Sequence, residues 1–334
     1  MISSVLPRST TCWMADHAAP ISRQRDADAD PIRSLQKAIA SVNTMVLDKS
    51  HQVDLAFCAL LAGGHLLIED LPGVGKTTLA HSMAIILGGN WQRIQFTSDM
   101  LPADIVGVSL YRPGEDAFEF RPGPIFANVV LADEINRATP RTQSALLEAM
   151  AEGQVTVDGK THPLPAPFFV IATQNPADLV GTYPLPDSQL DRFLLRTSIG
   201  YPSRDEERRL LRQVDRRIMM GELLPELDAG QLETLMGQVR EVHLSDPVLD
   251  YIQTLVAATR DHPELRNGLS PRAALSLVAV ARAHAFIRGR DHCLPEDVKA
   301  VFVALASHRL QPSTGSEVSP EAVIQALLNE TRVP

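Results

Sequence analysis

With 334 residues, 45% of them hydrophobic and 21% charged, the chain is long enough for two packed cores. Its net charge of -9 leaves no basic footprint of the kind that neutralises polynucleotide phosphates, so nucleic-acid binding is disfavoured. Three cysteines, Cys12, Cys58 and Cys293, stand far apart without CxxC spacing, which excludes a disulfide framework and a zinc knuckle and fits a reducing cytoplasmic setting.

Residues 1–30 lack an apolar signal core and end in a charge-dense run. They read as a disordered extension or as sequence upstream of the true start. Ordered structure is predicted from Asp30-Pro31, an N-cap followed by a first helical residue, with Ile32, Leu35, Ile39 and Val42 on one face. A second helix is predicted over 52–61. Short apolar runs at 65–68, 93–96, 129–132, 168–172 and 194–198 then alternate with helical segments, the pattern of buried parallel strands. This alternation predicts a doubly wound α/β domain over 31–200.

Two hairpins interrupt it, near 101–126 across a Pro-Gly turn and near 153–165 across Asp158-Gly159. From 201 to 334 the strands stop, and a linker helix followed by a small all-helical domain is predicted. Ser203 and Glu206 form a capping-box pattern ahead of Leu210, Leu211 and Val214. Further helices are predicted to open at Ser245, Ser270-Pro271 and Pro295. The apolar stretches 55–68 and 273–287 fall short of the roughly 20 residues of a membrane span, so no direct membrane insertion is expected.

The chemistry-bearing residues lie at the ends of the predicted strands. The first strand runs into Pro72-Gly73-Val74-Gly75-Lys76-Thr77-Thr78 and a helix, the context of a phosphate-binding loop. Small residues there let backbone N–H groups wrap phosphates, Lys76 supplies positive charge, and Thr77 can ligate Mg²⁺. Asp70 stands where the consensus loop has its first glycine. Gly159-Lys160-Thr161 repeats the triplet but sits in a hairpin turn with no helix behind it. The strand at 129–132 delivers Asp133 and Glu134. Asp133 suits the Mg²⁺ shell, mainly through water, and Glu134 suits polarising an attacking water. The strand at 168–172 leads to Asn175, whose amide can orient a γ-phosphate or the lytic water.

Taken in order, Gly73 to Thr77, Asp133-Glu134-Ile135-Asn136-Arg137, Ala172-Thr173-Gln174-Asn175-Pro176, Leu190-Asp191-Arg192-Phe193 and Ser270-Pro271-Arg272-Ala273 resemble the MoxR family of AAA+ ATPases, in the helix-2-insert branch. The resemblance covers 31–334. It implies a P-loop NTPase fold with a C-terminal helical lid, ATP and Mg²⁺ as cofactors, and hydrolysis of the β–γ phosphoanhydride bond. Asp70 fits that family's acidic form of the loop. Arg192 is implied as an arginine finger reaching the neighbouring subunit, with Arg196 as a weaker candidate, and Arg272 as the lid's sensor arginine.

The hairpins correspond to the family's inserts, with Tyr111, Phe118 and Phe120 as candidate client contacts. A homo-oligomeric ring, a hexamer, is implied, coupling hydrolysis to remodelling, maturation or activation of a protein client beside a von Willebrand factor A domain partner. Two other readings stand beside this one. A nucleic-acid-remodelling machine of the same branch is opposed by the acidic charge, and a nucleotide-gated scaffold with little turnover is opposed by Glu134, Asn175 and Arg192.

Overall fold

The computed structural model describes residues 30–70, 73–114, 116–174, 181–212, 216–313 and 319–333. Pro72, Asn175, Val214 and the extension before Asp30 lie outside them, as do the side chains of Glu206 and Leu210. Helix α1 (Pro31–Met45) begins as its sequence predicts: the Asp30 carboxylate accepts a hydrogen bond from the Ile32 amide at 3.1 Å. Helix α2 (Ser50–Leu61) is buried from Val53 onward. Strand β1 (Leu66–Glu69) leads through the phosphate loop to α3 (Lys76–Ile86) and β2 (Trp91–Gln95).

A short α4 (Pro102–Val106) then introduces the hairpin β3 (Gly107–Arg112) and β4 (Ala117–Pro122). After β5 (Val129–Asp133) and a 3₁₀ turn at Ile135–Arg137 comes α5 (Pro140–Glu152), followed by the second hairpin, β6 (Gln154–Val157) and β7 (Lys160–Pro163). Strand β8 (Phe169–Gln174), a short α6 (Asp187–Leu190) and β9 (Leu195–Thr197) complete this half.

Five strands form one sheet in the order β2-β5-β8-β1-β9, with every pairing parallel. Side-chain alternation splits them between two cores. Leu66, Ile68, Val129, Leu131, Phe169 and Ile171 join the cluster of α1–α3, whereas Leu67, Val130, Ala132, Val170 and Ala172 join Leu146, Leu147 and Met150 of α5. Burial on both faces explains why these strands read as unbroken apolar runs.

The helical half comprises α7 (Arg204–Arg212), α8 (Arg216–Glu222), α9 (Ala229–Glu241), α10 (Asp246–Asp261), β10 (Leu265–Asn267), α11 (Pro271–Ile287), α12 (Pro295–Ala306), β11 (Gln311–Pro312) and α13 (Pro320–Glu330). The small antiparallel pair β10–β11 has no counterpart in the sequence reading, because two- and three-residue strands carry no periodicity. Leu211, expected on the apolar face of α7, is 85% exposed instead. Ser270 caps α11 as predicted, accepting from the Ala273 amide at 3.1 Å.

Asp297 is fully buried and ties α11 to α12. It meets His284 Nδ1 at 2.7 Å, accepts both Arg290 Nη groups at 2.6 and 2.7 Å, and accepts the Leu294 amide at 2.8 Å. The core of α1–α3 continues without a break into α9–α12, so the helical half shares one apolar cluster with one face of the sheet.

The first hairpin is pinched at its base by Gly107. Its φ is +101°, and a Cβ there would lie 2.3 Å from the Arg121 carbonyl oxygen. Tyr111 and Phe118 lie exposed, 5.4 Å apart, with the Tyr111 hydroxyl donating to Asp116 at 2.6 Å. Phe120 is committed differently. It stacks on His162 of the second hairpin at 3.9 Å and meets Phe126 edge-on at 5.6 Å, so it joins the two hairpins.

Candidate functional site

Parallel pairing brings the C-terminal ends of β5, β8 and β1 to one edge of the sheet, with Gln95 opposite Asp133 and Glu69 opposite Gln174. This is where open α/β sheets place ligands. The phosphate loop leaves β1 at that edge. Gly73 and Gly75 have φ of +86° and +106°, and a Cβ at either would meet nothing within 4 Å among the described residues, so these positions are left-handed and open. Backbone strain rather than crowding selects glycine there. Helix α3 starts from Gly75 without a side-chain cap, which leaves its first N–H groups available to an anion. Lys76 is 7% exposed and donates from Nζ to the Asp70 carbonyl oxygen at 2.9 Å. Burial lowers its pKa, against the attraction of Asp133, Asp70 and Glu134.

Asp70, the departure from the consensus loop, has a structural use. Its Oδ2 accepts the amides of Ile199 and Gly200 at 2.7 and 2.6 Å, anchoring the chain where it leaves β9 for the helical half.

Asp133 is 8% exposed, with both oxygens engaged. Oδ1 accepts from the Thr173 hydroxyl at 2.6 Å, and Oδ2 accepts from Arg93 Nη2 at 2.6 Å and Nε at 3.2 Å. The same Thr173 oxygen accepts the Glu134 amide at 2.9 Å. Glu134 sits in the left-handed region, at φ 57° and ψ 48°, a conformation that costs about 1 kcal/mol for a residue with a Cβ and recurs at functional sites. Its Oε2 accepts from Gln95 Nε2 at 3.0 Å and pairs with Arg137 Nε at 2.9 Å.

No local sequence pattern assigns Thr173, Arg93, Gln95 or Arg137 a role. Arg93 and Gln95 share one face of β2, but only the β2–β5 register sets them beside Asp133. Asn175 lies outside the described residues, one position beyond the end of β8. The donor set fits Mg²⁺, which commonly takes one or two protein oxygens and completes its octahedron with phosphates and water. Thr77 would supply such an oxygen directly and Asp133 mainly through water, with Asp133 shared with Arg93.

Arg192 is not brought to this edge. It precedes β9, and β9 runs parallel to β1 with Leu195 opposite Leu66, so Arg192 lies off the opposite, N-terminal end of the strands. A four-residue strand separates those ends by roughly 13 Å. Arg192 is exposed, and its Nη1 donates to the Leu147 carbonyl of α5 at 3.2 Å. Arg196, the weaker finger candidate, is engaged within its own subunit: Nε pairs with Glu69 at 3.3 Å and Nη2 with Glu321 of α13 at 2.8 Å. Arg272 lies exposed in the first turn of α11, its side chain making no hydrogen bond or ion pair among the described residues.

Residues 65–195 match the ATPase family associated with various cellular activities (AAA), and residues 257–327 match the AAA lid domain. The chaperone MoxR1 of Mycobacterium tuberculosis is 39% identical over 334 residues, covering 95% of this chain and 87% of that protein. The chain belongs to the MoxR family of AAA+ ATPases. The MoxR protein of Paracoccus denitrificans is 31% identical over 317 residues, covering 87% of this chain and 93% of its own length. YeaC of Bacillus subtilis, an uncharacterized protein, is 44% identical over 303 residues, covering 90% of this chain and 95% of its own.

A crystal structure of a Cytophaga hutchinsonii protein, provisionally assigned as an ATPase, superimposes with a TM-score of 0.82 at 33% identity, covering 91% of this chain and 96% of that one. The MoxR assignment accounts for the parallel sheet, the P-loop and the helical lid together, and makes ATP hydrolysis the general activity of the chain's family. Among the described residues no helix is long and apolar enough to cross a membrane.

Proposed function

We propose that this MoxR-family chain is a cytoplasmic ATP hydrolase working as a homo-oligomeric ring, a hexamer, in which each site is completed by the next subunit. Turnover remodels, matures or activates a protein client, with a von Willebrand factor A domain protein as partner. The observation that carries this reading is the opposition of the two ends of the sheet. Lys76, Asp133 and Glu134 share one end, whereas Arg192 stands exposed at the other and cannot serve the nucleotide of its own subunit.

In this reading the N–H groups of Gly73 to Thr78 and the Lys76 ammonium bind the phosphates, and Lys76 exchanges the Asp70 carbonyl for a phosphate oxygen. Mg²⁺, held by Thr77 and through water by Asp133, offsets the charge of the outer phosphates when bound. Glu134 polarises the attacking water once its carboxylate gives up Gln95 or Arg137, and Asn175 orients that water. Arg272 closes onto the nucleotide with the lid, and Arg192 stabilises charge on the phosphoryl group transferring in the adjacent subunit.

Turnover per subunit is expected to rise with protein concentration, and Arg192→Ala should lower it by about 10³- to 10⁵-fold, the usual contribution of an arginine finger. Concentration-independent hydrolysis by a stable monomer would overturn the ring mechanism. Glu134→Gln should retain ATP and hold the client, which mass spectrometry of co-purifying proteins identifies. Stimulation of hydrolysis by polynucleotide and not by any captured protein would favour the nucleic-acid reading instead.

A further inference from the structure

The segment carrying Arg192 is gripped from the lid. Arg309, just beyond α12, has a side chain only 6% exposed. Its guanidinium spends its donors on five acceptors: Asp191 Oδ1 from Nε at 2.7 Å, the carbonyls of Leu194 and Leu305 from Nη1 at 3.1 and 2.5 Å, and those of Phe193 and Asp191 from Nη2 at 2.8 and 3.5 Å. A guanidinium carries five N–H groups in a fixed fork, so the side chain is saturated. Four of the five acceptors belong to residues 191, 193 and 194, which bracket Arg192 on both sides. His308 adds a fifth bond to the segment, from Nε2 to the Phe193 carbonyl at 2.9 Å.

Stability alone is a weak reason for this arrangement, since a well-packed apolar residue commonly does as well as a buried charged one. What the fork supplies is direction. It fixes the carbonyls on either side of Arg192, while the Arg192 guanidinium itself has, among the described residues, a single backbone acceptor, on Leu147. The grip is also continuous with the helix that carries Arg272. Arg309 follows α12, Asp297 bolts α12 to His284 and Arg290 at the end of α11, and α11 opens with Arg272.

We propose that Arg309, assisted by His308, is a positioning residue through which the lid of one subunit aims Arg192 at the nucleotide of the next. Lid movement over a bound nucleotide would thus be felt at the neighbouring site. The proposal rests on the trans-finger reading of Arg192 and adds to it a device that makes the finger answer to its own subunit's nucleotide.

The test uses full-length Arg309→Lys, which keeps the charge and loses the fork, and Asp191→Asn, which removes the charged acceptor and preserves shape. For each, kcat is expected to fall about 10- to 100-fold, the scale of misplacing a catalytic group by ~1 Å, with KM for ATP changed less than about twofold. Co-assembly with Glu134→Gln, whose site holds ATP without hydrolysing it so that its lid and finger are intact, should restore turnover at the variant's own sites. Adding Arg309→Lys to Arg192→Ala should produce no further loss.

Wild-type kcat in both variants would overturn the proposal. So would a loss that Glu134→Gln does not restore while it does restore Arg192→Ala in parallel, because Arg309 would then act on its own site. Full turnover by Arg192→Ala alone would instead sink the finger reading itself. Should thermal melting show that Arg309→Lys does not fold, Asp191→Asn carries the same arms.

Discussion

The sheet edge that holds Lys76, Asp133 and Glu134 and the segment that presents Arg192 stand at opposite ends of the same parallel strands, on different supports. At the first, support is local to the sheet: Thr173 bridges Asp133 and Glu134 from the adjoining strand, and Arg93 and Gln95 reach across from β2. At the second, support comes from His308 and Arg309, more than 100 positions later in the chain. The difference separates two tasks. On the proposed reading, a site that presents fixed charges to phosphates is built on strands, whereas a group that answers to a moving lid is tied to that lid.

That division can be broken by measurement, beginning with the lid brace. Asp297→Ala leaves Arg290 facing a buried void and is expected to destabilise the protein by about 3–5 kcal/mol in urea unfolding, because one partner of a buried ion pair is lost. A change under about 1 kcal/mol would show that the brace contributes little.

Acid should act next, and on the finger side. His65 is buried and neutral, with Nδ1 accepting the Val170 amide at 3.1 Å and Nε2 facing the Met150 carbonyl at 3.2 Å, and burial lowers its pKa to about 4. Its backbone carbonyl accepts the Leu194 amide at 2.9 Å. His308, also depressed by burial, holds Phe193. The unfolded chain takes up a proton on each histidine near pH 6.5, and folded His65 resists until about pH 4. Stability is therefore fully present above 6.5 and lost as pH falls, by ~3 kcal/mol for His65 alone. Thermal unfolding between pH 7 and 4 measures it, and a His308→Gln variant with a shallower slope would assign the lid's share.

On the phosphate side, Lys76→Ala should weaken ATP binding about 10²-fold, equivalent to ~2.7 kcal/mol, through lost charge-assisted hydrogen bonds. On the trans-finger reading, Arg192→Ala should leave binding within about twofold, since a finger serves the transition state. Equal losses in a fluorescent-nucleotide titration would erase the distinction. The smallest effect is expected for Thr173→Val, about 1–2 kcal/mol of stability for two hydrogen bonds, read by denaturant unfolding.

Much of the phosphate edge was legible beforehand because its residues are neighbours in the chain. A strand, two glycines at positive φ and an uncapped helix occupy one continuous stretch, and Asp133 with Glu134 follows an unbroken apolar strand. Both hairpins were legible from their turns. Arg93 and Gln95 were not, because strand order is invisible in a single strand, and Phe120 was read as a client contact because nothing in the chain announces His162 opposite it.

The sequence by itself determined the strand-and-helix alternation, the caps at Asp30 and Ser270, and the glycine loop ahead of α3, since these depend on backbone geometry and periodicity over a few positions. Only the tertiary structure decided what Asp70, Arg196 and Arg309 do. Asp70 anchors Ile199 and Gly200, Arg196 joins Glu69 to Glu321, and Arg309 clasps the chain around Arg192. A buried charge is tolerated only where acceptors converge on it in space, and that convergence depends on how the lid docks on the sheet, which no local pattern records.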